Sequence, residues 1–139
     1  MKKQAIILSI LALSLTACSV DETKQITLIE GKDLTCDIQA NTDSDNKSLK
    51  IKIINSGTED ISGEDLFRYT ASINGNEVFT QRESNVNLLS GADFTSTYPV
   101  PRLIYKYEDS GEVSCTVDAG NEFEEADESN NTVKNLYTF

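Results

Sequence analysis

The chain has no histidine and no tryptophan, one methionine, two prolines, and 12 basic residues against 23 acidic ones. Without histidine there is no Ser-His-Asp or Cys-His relay and no imidazole metal ligand, which removes the commonest hydrolytic and zinc chemistries. The shortage of Lys and Arg leaves a formal net charge of −11. That balance argues against a nucleic-acid partner, whose phosphates need cations, and against electrostatic adhesion to anionic lipid. No apolar run approaches the roughly 20 residues of a membrane-spanning helix. Helical periodicity is nearly missing past the first residues, and there is no internal repeat or low-complexity tract.

The first residues have the pattern of a leader. Lys2 and Lys3 precede an apolar run from Ala5 to Leu15, and "LTAC" follows from Leu15 to Cys18. A positive start, a short apolar core and small residues before a cut site mark a secretory signal. "LTAC" resembles the lipobox of bacterial lipoproteins, which implies a diacylglyceryl group on the Cys18 sulfur and cleavage before it. The expected partition is a signal peptide over 1–17, a lipidated tether and extension over 18–32, and one β-domain over 33–139. The bland alternative is an ordinary signal peptide with a chance cysteine. With so acidic a chain, the acyl chains alone would hold the membrane, at about 0.8 kcal/mol per buried methylene. Ser19 stands where an aspartate resembles an inner-membrane retention signal. The expected location is therefore the cell envelope, leaning to the outer membrane in a cell with two membranes.

Cys36 and Cys115 remain once Cys18 is lipidated. Export favours a bond between them over two free thiols. Closing a loop of 79 residues would stabilise the fold by about 4–5 kcal/mol on the disputed chain-entropy account.

Alternation by two runs through the rest. Leu34, Cys36, Ile38 and Ala40 form one apolar phase, and Leu49, Ile51 and Ile53 another with Lys50 and Lys52 between. Phe67, Tyr69, Ala71 and Ile73 repeat it, as do Val113, Cys115 and Val117. Phe94, Ser96 and Tyr98 alternate more weakly, and Thr132–Phe139 is less regular. These are strands with one buried face. Asn74-Gly75 predicts a type I′ hairpin. Asn55-Ser56-Gly57 ends a strand, Ser90-Gly91 separates two more, and Pro99 and Pro101 open a longer connection through Gly111. The fold class is all-β, an immunoglobulin-like β-sandwich of about seven strands. Both cysteines fall on the inward phase, so their bond joins the two sheets. With no tryptophan, and Val113 where a corner tyrosine would stand, it is not an antibody-type domain. Ile26 and Leu28 are in phase for a further strand or for a segment lying across the sheet.

"KIINSGTEDISGEDLFRYTASINGNEVFTQ", "VNLLSGADFTSTY" and "GEVSCTVDAGNEFEEADESNNT" together resemble a CARDB domain, a cell-adhesion-related domain found in bacteria. Asn55 and Gly57 match the family's Asn-x-Gly, and Asn74-Gly75 its hairpin. Val117, Asp118, Asn121, Phe123, Glu125, Glu128, Asn130 and Asn131 match its motif before the final strand. Phe123 replaces a smaller aliphatic residue, and the two cysteines are not general in the family. The resemblance implies a seven-strand sandwich, with this last stretch as the connection into the final strand.

That stretch carries six carboxylates, Asp118, Glu122, Glu124, Glu125, Asp127 and Glu128. The favoured reading is an exposed structural connector. In it Phe123 pins the loop by about 1.5–3 kcal/mol of burial. Asn130 and Asn131 take left-handed angles or bond nearby backbone, and Glu125 and Glu128 accept amides of their own loop. The competing reading is a calcium site, with Asp118, Asn121, Glu125, Asp127 and Glu128 as candidate ligands, although the spacing is that of no known calcium loop. "NTDSDNKS" from Asn41 fits an EF-hand start worse, with Lys52 in place of its bidentate glutamate, and is read as an exposed turn. A glycosidase pair would need carboxylates facing across a cleft, for which the pattern gives no support. The expected function is therefore non-enzymatic, with no catalytic residues and no cofactor unless calcium binds. It is a lipid-anchored module that binds protein or polysaccharide. The alternative is an acidic inhibitor or accessory of a basic exported enzyme, steered by charge.

Overall fold

Strands form wherever the sequence alternates, and the turns fall at its Asn-Gly and Pro punctuation. The computed structural model describes residues 26–42, 47–107 and 109–139. The leader with Cys18, and the middle of the Asn41 turn, lie outside the described residues. Among the described residues seven strands are formed: β1 (Leu34–Asn41), β2 (Ser48–Asn55), β3 (Phe67–Ile73), β4 (Asn76–Glu83), β5 (Asp93–Pro99), β6 (Ser110–Thr116) and β7 (Thr132–Thr138). One sheet has the order β1-β2-β5 and the other β4-β3-β6-β7, with every neighbouring pair antiparallel. This is the expected all-β, immunoglobulin-like sandwich.

The core is the inward phase of both sheets. Leu34, Cys36 and Ile38 of β1 meet Leu49, Ile51 and Ile53 of β2, all buried, while Lys50 and Lys52 face away. Phe67, Tyr69, Ala71 and Ile73 of β3 and Val113 and Cys115 of β6 cover them from the other sheet. The Cys36–Cys115 bond joins β1 to β6 across the sandwich with a Cα–Cα distance of 6.4 Å, within the ordinary range. The far flank is closed by aromatic contacts: the Tyr69 ring lies 5.6 Å from Phe79 and 6.1 Å from Phe94, and Phe79 lies 5.4 Å from Tyr98. Tyr69 also reaches the opposite sheet through its hydroxyl, 2.7 Å from the Ser96 Oγ.

Asn74 and Gly75 take φ values of 49° and 78°, as a type I′ turn requires. Two features differ from expectation. The connection after Pro99 contains a short helix, α1 (Arg102–Tyr107), too brief to leave a period of its own. Pro101 opens it, since a fixed φ suits a first helical turn, and its carbonyl accepts from the Ile104 amide at 2.9 Å. The second difference is the segment before β1. Ile26 and Leu28 stay exposed, and the segment makes no strand among the described residues beyond a single parallel bridge from Ile29 to Gly57. Residues 29–33 instead run as a strap across the β2–β3 connection. The Ile29 amide donates to Ser56 O, Thr58 N to Ile29 O, and both Ser56 N and Gly57 N to Asp33 O. Gly57 is required there, because a Cβ would stand 2.2 Å from Gly31 O and 2.6 Å from Asp33 N.

Candidate metal centre in the connector

The connector between β6 and β7 is built around its own acids. It opens with Val117, fully buried in phase with β6, whose amide donates to Asn131 O at 2.9 Å and so closes the neck of the loop. Asp118 then turns left-handed at φ 43°, and its Oδ1 accepts the Glu122 amide at 2.8 Å. Phe123 packs onto Phe67 with ring centroids 6.4 Å apart, which holds the loop to the end of the sandwich as its size predicts. Glu122 lies between Arg68 and Arg82, at 3.5 Å and 3.3 Å, in exposed pairs that contribute little.

Asp118 and Glu125 are buried, at 4% and 8% exposure, which corrects the expectation of a solvent-facing acidic loop. Glu125 is drawn in by partners far away in sequence. Its Oε1 accepts the Leu34 amide at 2.7 Å at the start of β1, not an amide of its own loop, and its Oε2 accepts Asn131 Nδ2 at 2.7 Å. Glu128 does serve its own loop, its Oε1 accepting the Glu125 amide at 3.2 Å, while its Oε2 meets Asn131 Nδ2 at 3.3 Å. Carboxylate oxygens of Asp118, Glu125 and Glu128 thus lie within 4.8 Å of one another. At that range each ionised pair repels by on the order of 3 kcal/mol in a medium of effective dielectric near 20. Burial, opposed by the hydrogen bonds from Asn131 and Leu34 and aided by the charges of Asp118 and Glu128, pushes Glu125 up to about 7. Burial also raises Asp118, against the amides of Glu122 and Phe123 and with the charges of Glu128 and Glu122.

Of the five candidate calcium ligands, the structure brings together Asp118, Glu125 and Glu128 and leaves out two. Asn121 is an exposed left-handed turn residue at φ 49°. Asp127 folds back on Ser129, its Oδ1 accepting the Ser129 amide at 2.9 Å and the hydroxyl at 2.5 Å, and those bonds lower its carboxyl below the usual range. The left-handed positions are Asp118 and Asn121 rather than Asn130 and Asn131. The two asparagines act through their side chains. Asn130 Nδ2 donates to Asp33 Oδ2 at 2.8 Å, and Asn131 bonds Glu125 and Glu128.

Asn131 belongs to the centre as the hydrogen-bond donor that positions Glu125 and Glu128, a role sequence reasoning missed. The Glu125-x-x-Glu128-x-x-Asn131 spacing is the signal that could have found it. Asp33 was missed altogether: it is fully buried, its Oδ2 accepts the Ser56 hydroxyl at 2.5 Å, and its Oδ1 accepts the Asp127 amide at 3.0 Å. An acid one place before the inward phase of β1 was its only trace.

Three buried side-chain oxygens, Asp118 Oδ2, Asn130 Oδ1 and Asn131 Oδ1, have no hydrogen-bond partner among the described residues, and the first belongs to the carboxylate cluster. An orphaned buried acceptor costs about 1–3 kcal/mol, more when charged. A divalent cation bound among the three carboxylates would satisfy Asp118 Oδ2 and offset the repulsion. The donor set is three carboxylates, which suits a hard cation such as calcium rather than a thiolate- or imidazole-loving metal.

The CARDB family profile matches residues 28–135. The crystal structure of a CARDB domain from Pyrococcus furiosus, in complex with di-metal ions, superposes with a TM-score of 0.61 at 20% identity, covering 81% of this chain and 96% of that one. The solution structure of the same domain gives 0.58 at 19%, covering 79% and 96%. A GH3 β-glucosidase from Bifidobacterium adolescentis aligns at only 0.41 and 11% identity, over 77% of this chain and 17% of its own, and supports no argument. No curated protein matches in sequence. With the sandwich, the Asn-x-Gly crossing and the connector motif each in place, the chain belongs to the CARDB family.

Proposed function

We propose that this protein is a lipid-anchored, non-enzymatic binding module of the cell envelope whose β6–β7 connector is held by a divalent cation, calcium by its donor chemistry. The convergence of Asp118, Glu125 and Glu128, with the buried Oδ2 of Asp118 left unpaired, carries the cation reading. The three carboxylates supply part of the six to eight oxygens calcium takes, and water or backbone carbonyls supply the rest. The cation's role is structural: it cross-links the loop and cancels its repulsion. The di-metal complex of the P. furiosus domain supports this reading by analogy of fold.

Calcium at about 100 times its dissociation constant stabilises a folded state by about 2.7 kcal/mol, or roughly 10 °C in Tm for a domain of this size. Thermal melts of the chain with calcium and with chelator test it, and identical melts in both refute it. The lipobox-like "LTAC" ending at Cys18 supports display of the domain at the envelope to a protein or polysaccharide. The formal charge of −11 favours, as a second reading, a basic protein partner that the acidic module inhibits or assists. A pull-down from envelope extract separates them: one basic protein lost at high salt supports the inhibitor, and retention on polysaccharide supports adhesion.

A further inference from the structure

We propose that a cation in this centre clamps the strap, residues 29–33, against the sandwich, so that the junction between the N-terminal extension and the domain stiffens when the metal binds. The inference rests on the cation reading above and adds a consequence to it.

The strap has two sets of partners. One is the β2–β3 connection, through Ser56, Thr58 and Glu59: Ile29 N to Ser56 O at 2.8 Å, Thr58 N to Ile29 O at 2.8 Å and Glu59 N to Gly31 O at 3.0 Å. The other is the acidic connector. The Ala126 amide donates to Lys32 O at 2.8 Å, the Asp127 amide to Asp33 Oδ1 at 3.0 Å, and Asn130 Nδ2 to Asp33 Oδ2 at 2.8 Å. Leu34 N, where strap becomes strand, donates to Glu125 Oε1 at 2.7 Å.

All of the second set comes from residues 125–130, the stretch that contains two of the three converging carboxylates. Glu125 is therefore both a candidate ligand and the acceptor for the first amide of β1. Ala126 and Asp127, whose amides hold the strap, lie between Glu125 and Glu128. If those two acids and Asp118 repel one another, the backbone between them is free to move and the strap loses that set of bonds. If a cation draws them together, residues 125–128 are fixed, and through Asp118 they are tied to the end of β6. Coupling thus runs from carboxylate to connector backbone to strap. No side chain of the strap needs to touch the metal.

Hydrogen exchange on the full chain in detergent tests this, with calcium against chelator. It is read at the amides of Leu34, Ala126 and Asp127, with the amides of β2 as internal reference. Calcium should slow those three by about tenfold beyond any change in β2, the mark of a local opening suppressed rather than of global stabilisation. Calorimetry run beside it separates the two claims. Calcium binding with no extra slowing at the three amides overturns the clamp and leaves the cation centre standing. No binding removes the cation reading, and the clamp with it. Glu128→Gln changes an exposed residue and should leave the fold intact while abolishing the slowing. Slowing that persists in this variant without bound calcium also overturns the clamp.

Discussion

The β3–β4 hairpin turns on Asn74 and Gly75 alone, while the β6–β7 connector needs residues 117–131 to join two adjacent strands of the same sheet. The hairpin is determined mainly by backbone preference: two residues that tolerate positive φ, with the Asn74 side chain bonding β6 and β7 of the same sheet, its Oδ1 accepting Glu112 N at 2.9 Å and its Nδ2 donating to the Tyr137 hydroxyl at 3.4 Å. The connector is determined by distant partners. Glu125 bonds an amide 91 residues away, and Asn130 a carboxylate 97 residues away. A turn of the first kind tolerates change around it and carries little besides the chain. A connection of the second kind fails when any of several remote parts moves, and that dependence makes it suited to respond to a ligand.

The largest effect expected is from the Cys36–Cys115 bond, which enters β6 two residues before the connector begins. Reduction, or Cys36→Ser with Cys115→Ser, should cost about 4–5 kcal/mol. Because the bridge sits next to the connector, protease sensitivity should rise there and not at the hairpin. Equal sensitivity at both ends, or an unchanged melt, would break the distinction drawn between them. Gly57→Ala comes next. Its methyl would meet strap backbone at 2.2 Å and 2.6 Å, so the strap must shift and its bonds to Ser56 and Thr58 weaken, at roughly 3 kcal/mol. Chemical denaturation measures it, and a loss under about 1 kcal/mol would mean the strap is not held as described.

Smaller again is the pH dependence of the metal-free protein. The folded Glu125 carboxyl sits at about 7, above its ordinary 4.5, so the folded state binds the proton more tightly than the unfolded one. Its contribution is therefore fully present below about 4.5 and lost as pH rises through about 7, on the order of 3 kcal/mol. Asp118, also raised by burial, acts in the same direction. Asp65 and Asp127 are lowered; their contributions are present at neutral pH and fade only in acid, as pH falls through their folded values, outside this window. In chelator, the melt at pH 5 should exceed that at pH 8, and calcium should reverse the order, since a cation needs its ligands deprotonated. Glu125→Gln should flatten the chelator profile. A slope that survives this substitution would assign the titration elsewhere.

The same contrast explains what could be read from the sequence. Strand alternation, the Asn74-Gly75 turn, the inward cysteines and the anchoring role of Phe123 are local or one-residue inferences, and the structure has each of them. The burial of Asp118 and Glu125 was not legible, because an acid in a polar run looks exposed until Leu34 and Asn131 are known to lie beside it. Asp33 was hidden for the same reason: its partners Ser56, Asp127 and Asn130 lie on two other connections. Helix α1 escaped notice for the opposite reason, being a local element too short to show a period. Three of the five candidate ligands came together because the Leu34 amide and the Asn131 side chain draw Glu125 inward and Asn131 also holds Glu128 beside it. Asn121 and Asp127 did not, each being used by its own turn.

Gly75→Ala is the smallest effect expected, and it sharpens the comparison most cleanly. A methyl at Gly75 would meet nothing within 4 Å, so packing is not at stake and only the left-handed φ of 78° is strained. The cost should be about 1–2 kcal/mol. The informative part is what should stay unchanged. The calcium-induced rise in Tm should match that of the parent chain, because the hydrogen bonds described for the connector and strap run to Leu34, Asp33, Lys32 and the β2–β3 connection and not to Gly75. A diminished calcium response in Gly75→Ala would mean that the two connections of the sheet are coupled, and the division between a local turn and a remotely held one would have to be abandoned.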